Sequence, residues 1–460
     1  MSGLFTSLVN TTRALDVQRL GMDVAGHNIS NVNTAGYARR VLDLKSLPGT
    51  SRFNAGGGVD VQGIRAIRDS FMERRLEQEV PAEAREGALA ELLEVVEASL
   101  GRAGTSIDAR LTEFFGAFSR LADAPTSAVA REDVLSQAQQ LAVAFQDTSV
   151  RLSDGQRAAD ARAREAVAEI NALAGQLAEL NLGFGSTGAG QASMHLDDQQ
   201  SAIVRRLSEL IDVQVLERPN GGLDITFGQG RALVIGDTAY AVEAQPMPPS
   251  GFSSIRSLGR DVTGEIRGGR LGGVLSARDS AIPGYIARLD DIAFEVAQQV
   301  NAVHTAGFDL QGVAGVTFFS FTVPPVGTAG AARAIRVDPA VAADGRLIAA
   351  GGVAAAGDNA AARAMAQLRD ARVLDGGTAT LLDGWSQLAY HVGRDVRTAR
   401  DSQASRSEIV RQVEALRDQA SGVSLDEEAA HMLKFQRAYE ANAKFFAVIN
   451  ETLSVLLNLV

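Results

Sequence analysis

Cysteine is absent from all 460 residues of the chain. That absence removes disulfide frameworks, thiolate nucleophiles and cysteine-ligated metal sites together. Lysine is nearly absent as well: Lys45, Lys434 and Lys444 are the only three. None follows a phosphate-loop glycine pattern, which excludes a Walker-type nucleotide site. Aromatic residues make up 5% of the chain, and there are 11 prolines. No run approaches the ~20 apolar residues that span a bilayer. The first twenty residues show no basic segment leading into an apolar one, so no cleaved signal peptide is expected. The protein therefore stays in the cytosol or leaves by a route that spares its N-terminus, and composition does not choose between these.

Catalytic signatures are missing too. His27, His195, His304, His391 and His431 have no H-E-x-x-H partner, and no G-x-S-x-G elbow occurs. The glycines Gly56–Gly58 and Gly268, Gly269, Gly272 and Gly273 do not fit G-x-G-x-x-G, and read as turns and close packing. Glu427 and Glu428 fall in the first turn of a predicted helix, where the macrodipole favours carboxylates without acid–base chemistry. No enzyme, cofactor or metal is expected. The net charge of −11, with no basic tract carrying interleaved aromatics, disfavours nucleic acid and anionic membrane as partners.

What is present is apolar periodicity. Hydrophobic residues form 46% of the chain, enough for a sizeable core, and at ~150 residues per domain the length suggests about three domains. Met1, Leu8, Leu15, Met22 and Ile29 recur every seven residues, with Leu4 and Ala25 in a companion stripe that Thr11 and Gln18 interrupt. The spacing predicts an amphipathic helix with a narrow seam, ended by Gly26 and the run Asn28, Asn31, Asn33, Gly36. At the other end Leu425, Met432, Tyr439, Phe446, Leu453 and Val460 repeat at seven, beside Phe435, Ile449, Leu456 and the polar Asn442. Ser424 and Glu427 read as the capping box that starts this second helix.

Between the ends, helical patterns occupy about Asp69–Leu100, Ile107–Leu121 and Thr126–Leu182, with Pro81 and Pro125 as kinks or boundaries, then about His195–Ile211, Leu271–Thr305 and Asn359–Ser421. Short runs at Val213–Leu216, Leu223–Phe227, Ala232–Ile235, Ala239–Ala244 and Val262–Ile266 predict strands. The expected architecture is mainly α and elongated, with a small inserted all-β domain and the terminal helices paired as a coiled coil at one end. The expected units are 1–40 with 422–460, 41–211 with 268–421, and 212–267. Two readings of the terminal seams stay open at this point: a closed hairpin within one chain, or interfaces between copies.

The run GHNISNVNTAGYARR (Gly26–Arg40), which contains Tyr37, resembles the N-terminal signature of the flagellar rod, hook and hook-associated axial proteins. SGVSLDEEAAHMLKFQRAYEANAKFF (Ser421–Phe446) is similar to their C-terminal signature. His27, the stretch Leu196–Val215 and above all Gly268–Gly312 resemble the hook-associated members rather than rod or hook proteins. One departure is Ala35, where the family usually carries proline. The resemblance implies a structural junction protein assembled through the terminal seams and loop as a homo-oligomeric layer. It implies hook protein below, a second junction protein on the filament side, and export through the flagellar type III apparatus with a chaperone on the C-terminal segment. Another axial role, in hook or distal rod, is the alternative, and a cytosolic scaffold or enzyme the remoter one. The termini are expected to be disordered or chaperone-bound before assembly.

Overall fold

The computed structural model describes residues 2–34, 37–48, 57–100, 106–184, 191–219, 221–355 and 357–458, without the side chains of 2–3, 191–194 and 456–458. It is mainly helical with small antiparallel sheets. Helix α1 (Ser2–Ser30) leads into a hairpin, β1 (Arg40–Ser46) and β2 (Val59–Ala66), and then into the helical body.

The body is built on long helices. Helix α2 (Ser70–Ser99) starts at Asp69, whose carboxylate accepts from the Phe71 N–H at 2.8 Å. It runs through Pro81 rather than breaking there. The proline ring is buried, and Gly268 leaves room for it: a Cβ at Gly268 would lie 3.2 Å from Pro81 Cβ. Helix α3 (Ile107–Asp123) turns at Pro125 into α4 (Ala128–Phe184), which at 1.5 Å per residue is roughly 85 Å long and sets the length of the body. Helix α5 (Gln191–Leu210) follows, then the strands, then α6 (Gly269–Ser276), a π-helical turn at Ala277–Ala281 and α7 (Ile282–Ala306). The scarce aromatics are concentrated. Phe114, Phe115 and Phe118 of α3 meet Phe318 and Phe319, with ring centroids 5.0–6.0 Å apart, and all five are essentially inaccessible.

The inserted strands form two sheets: β3 (Val213–Glu217), β4 (Leu223–Phe227), β5 (Arg231–Ile235) and β6 (Thr238–Ala239) in sequence order, and β7 (Val242–Pro246), β8 (Ser253–Ser257) and β9 (Arg260–Asp261). The run Ala239–Ala244 divides between the two sheets, and at Val262–Ile266 the chain makes a 3-10 turn instead of a strand. Strand β8 escaped sequence reading because SSIRS is polar. Its small serines are buried, and the Asp160 carboxylate of α4 accepts from the Ser253 N–H at 2.8 Å. Asp160 also pairs at 2.7 Å with the buried guanidinium of Arg278 in the π turn. One contiguous core joins Ile225, Phe227, Val234 and Ile255 of the strands to α4 and α7.

From α7 to residue 380 the chain is built of short pieces: β10 (Phe319–Phe321), α8 (Ala331–Ala334), β11 (Ile335–Val337), α9 (Pro339–Ala343), α10 (Ala360–Gln367), β12 (Arg372–Leu374) and β13 (Ala379–Thr380). The helical pattern expected over Asn359–Ser421 is thus interrupted by the turn at Asp375–Gly377 and its two strands. Helix α11 (Leu381–Ser421) opens with a Thr380–Asp383 capping box and returns antiparallel to α2, with Arg400 on Glu94 and Arg406 on Glu79. Helix α12 (Leu425–Asn458) completes the chain beside α1.

His304 is fully buried at the end of α7; its Nε2 accepts from the Ala349 N–H at 2.9 Å, and its Nδ1–H donates to the Val316 carbonyl. Both bonds require a neutral ring, and burial pushes its pKa down to about 4. In the unfolded chain the same ring titrates near ~6.5. Its contribution to stability is therefore complete above that value and is lost as pH falls towards 4, by about 3 kcal/mol in total. Urea midpoints measured across this window will fall with acid, and will fall less in His304→Gln.

Candidate assembly interface

Helices α1 and α12 lie side by side and antiparallel. Asn28 meets Glu428, Gly26 faces Met432 and Gly21 faces Phe435. Gly21 is a socket: a Cβ there would sit 2.6 Å from the Phe435 ring. On α12 the second predicted stripe and part of the first point inward. Ile449 and Leu453 are buried, and Met432, Phe435, Asn442 and Phe446 half-buried, whereas Leu425 and Tyr439 are exposed.

On α1 the buried face is not the predicted stripe. Thr11, Val17, Gly21, Val24, Ala25 and Asn28 are buried, while Leu4, Leu8, Leu15, Met22 and Ile29 are only half-buried. At 100° per residue the buried face is rotated by roughly 110° from the leucine stripe. Small residues approach closely, so they line the contact, and the larger leucines flank it. Phe5 and Val9 of α1, and Leu433, Phe445, Val448 and Val455 of α12, stay exposed. The buried residues of this pair are not part of the body's core. The helix also does not end at Gly26; it runs to Ser30, where the Asn31 amide donates to the His27 carbonyl at 2.9 Å. Asn33 is exposed. Gly36 and the side chain of Leu456 lie outside the described residues, as do Met1 and Val460.

The hairpin that sequence reading missed packs along α1. Its alternation is visible in Val59, Val61 and Ile64, but a bulge between Asp43 and Leu44 shifts the register. A two-stranded hairpin is marginal alone and needs a helix beside it.

Where hairpin, α1 and α12 meet, a polar hub replaces apolar packing. Asn28 is fully buried and uses every position of its amide: Oδ1 accepts from the Arg40 N–H (3.0 Å) and the Tyr37 hydroxyl (2.8 Å), and Nδ2 donates to the Arg40 carbonyl (2.9 Å) and Glu428 Oε2 (3.0 Å). Because the Tyr37 proton goes to Asn28, the 2.9 Å bond between Tyr37 and His27 Nδ1 is donated by the imidazole. Arg39 donates to Glu428 Oε1 at 2.7 Å and approaches Glu427 at 3.2 Å. Arg40, almost wholly buried, reaches Asp198 of α5 at 2.7 Å. Burial and the nearby Arg40 charge hold the His27 imidazole below its ordinary pKa, against the pull of Asp198. Burial lifts the Tyr37 phenol to about 12, so it remains a donor.

Sequence reading found Asn28 and Tyr37 but assigned Glu428 to the helix dipole and passed over Arg39, Arg40 and Asp198. The expected capping box is half made: the Glu427 N–H reaches Ser424 Oγ at 3.5 Å, while its carboxylate turns to Arg39. Among the described residues no group of three or more His, Asp or Glu is placed to hold a metal. No described helix is long and apolar enough to cross a membrane.

Residues 93–319 match the family model described as the flagellar hook-associated protein FlgK helical domain, which takes in α3 to α7 and the whole β insert. Residues 417–459, essentially α12, match that of the flagellar basal body rod FlgEFG protein C-terminal. Flagellar hook-associated protein 1 of Escherichia coli K12 is 25% identical over 99% of this chain and 100% of its own length. That of Bacillus subtilis 168 is 26% identical over 100% and 99%. Over its full length the chain is similar to flagellar hook-associated protein 1. The fold is also that of the flagellar hook junction protein FlgK from Burkholderia pseudomallei, with a TM-score of 0.67 and 17% identity over 76% of this chain and 100% of that one. The chain is a structural protein of the flagellum rather than an enzyme. The Escherichia coli alignment spans 551 positions against 460 residues here, so that relative carries segments this chain lacks.

Asn28→Ala would strand the Arg40 main chain and one oxygen of Glu428, at about 1–3 kcal/mol for each buried group left unpaired. In thermal scans followed by circular dichroism, helicity from the terminal pair will melt in a separate earlier step, with the main transition unmoved.

Proposed function

We propose that the chain is the adaptor between flagellar hook and filament, outside the cell, and that it polymerises through α1 and α12. In this reading the terminal unit (1–40 with 422–460) is the inner, assembling part. The helical middle (41–211 with 268–421) carries lateral contacts, and the β insert (212–267) faces outward. Hook protein lies below and a second junction protein on the filament side. The chain reaches its place through the flagellar type III apparatus, with an export chaperone holding the C-terminal segment.

The observation that carries the reading is the apolar surface left over after the terminal helices have paired. Phe445, Val448 and Val455 share one flank of α12 by helical spacing, and all three are about half exposed. Phe5 and Val9 add to it on α1, and the leucine stripe of α1 is only half covered. Burying such a side chain is worth roughly 1.5–3 kcal/mol, so neighbouring copies have a strong reason to cover it.

Val448→Asp tests this directly, because the side chain faces away from the partner helix. The variant will fold and be exported normally, yet will fail to form hook–filament junctions, scored by electron microscopy of flagella from a complemented null strain. Normal junctions would refute the interface assignment. The pair is also predicted to be loose until it is covered. Amides of α1 and α12 in the isolated chain will exchange much faster than those of α4, whose buried face is continuous; strong protection of both termini would contradict the account.

A further inference from the structure

Terminal seams that repeat every seven residues carry an ambiguity. Sliding α12 along α1 by one heptad again places stripe against stripe, so apolar burial alone does not select one alignment. The contacts present share a single antiparallel register: Asn28 with Glu428 and, one heptad further, Gly21 with Phe435. Continued by the same step, it places Ala14 beside Asn442. We infer that Glu428 is the register-determining residue of the terminal pair, acting with Asn28 and Arg39.

Each slid alignment would leave buried groups unmatched. In one direction Glu428 comes to face Gly21. Its carboxylate, with a side chain only 4% exposed, now accepts from Asn28 and Arg39, and would there meet a residue with no side-chain donor. The same slide brings the Phe435 ring against Ala14, whose Cβ takes up space that only glycine leaves open. In the other direction Phe435 would displace the hub at Asn28. A single buried polar pair in an otherwise apolar seam is an established way to specify register, and leaving one buried acceptor unpaired disfavours the slid form by about tenfold or more. The consequence concerns assembly: a slid pair would present Phe445, Val448 and Val455 about 10 Å out of place along the helix. That consequence rests on the polymerising role proposed above, whereas the register itself is a property of one chain.

Because the chain has no cysteine, engineered pairs report alignment cleanly. Ala14→Cys with Asn442→Cys marks the present register, and Ser7→Cys with Asn442→Cys marks the slid one. The two positions on α1 are about 10 Å apart, so one site cannot reach both within disulfide geometry. In the isolated full-length protein, oxidation should close only the first pair. Adding Glu428→Leu, which keeps the seam apolar and removes the carboxylate, should bring the second pair to a comparable yield, and Glu428→Gln should give an intermediate result. If only the first pair closes in Glu428→Leu, the glycine socket alone sets the register and the inference is wrong. If neither pair closes in Glu428→Leu while the first closes in its absence, Glu428 is needed for pairing itself, and the inference also fails. If neither closes even with Glu428 present, the terminal helices do not pair in the free chain, which overturns the pairing along with the inference. Failure of Val448→Asp to block junctions, by contrast, would leave the register result standing.

Discussion

The buried amide of Asn28 holds three parts of the chain that would otherwise have no reason to meet. Its two bonds to the Arg40 main chain begin the hairpin, its bond to Glu428 fixes α12, and its bond from Tyr37 closes the loop between them. Arg40 then carries the connection to α5, and Arg39 connects through its own N–H to the Ser421 carbonyl at the end of α11. An apolar junction could have buried the same area, but apolar contact does not prescribe the angle or the register of the elements it joins. Polar groups in a dry site do, because each unmatched one is costly.

Around that point the protein divides its physics in two. The body has a continuous core in which phenylalanines from α3 and the segment before α8 interlock, and the buried Asp160–Arg278 pair, both of whose members bond the Ser253 main chain, ties the β insert to α4. The terminal pair has a thin seam of glycine, alanine and valine against a few large side chains of α12, and larger apolar residues stay uncovered on its flanks. A pair with so little of its own core gains most from burial against further surfaces. That asymmetry is what the proposed assembly through the termini would use.

Much of this was legible in the chain. The long helices follow from uninterrupted 3.6-residue patterns, and on α12 the stripe of Phe435, Ile449 and Leu453 marks the side that meets α1, although Leu425 and Tyr439 of the same reading are exposed. The α1 seam was read about a third of a turn off, because periodicity ranks leucine above glycine while close helix contact ranks them the other way. Strand β8 was hidden by its serines, whose burial depends on Asp160, more than ninety residues away in sequence. The hairpin was hidden by its bulge. Glu428 was invisible as a structural residue because its partners, Asn28 and Arg39, lie about 400 residues away; a helix-start carboxylate looks the same whether it faces water or an arginine.

The most direct test of the whole account is an electron cryomicroscopy reconstruction of hook–filament junctions containing this chain. The account requires α1 and α12 at the inner radius, paired through Asn28 and Glu428, with Phe445, Val448 and Val455 buried against neighbouring copies. A reconstruction in which those flanks face solvent, and copies touch only through the body or the β insert, would contradict it.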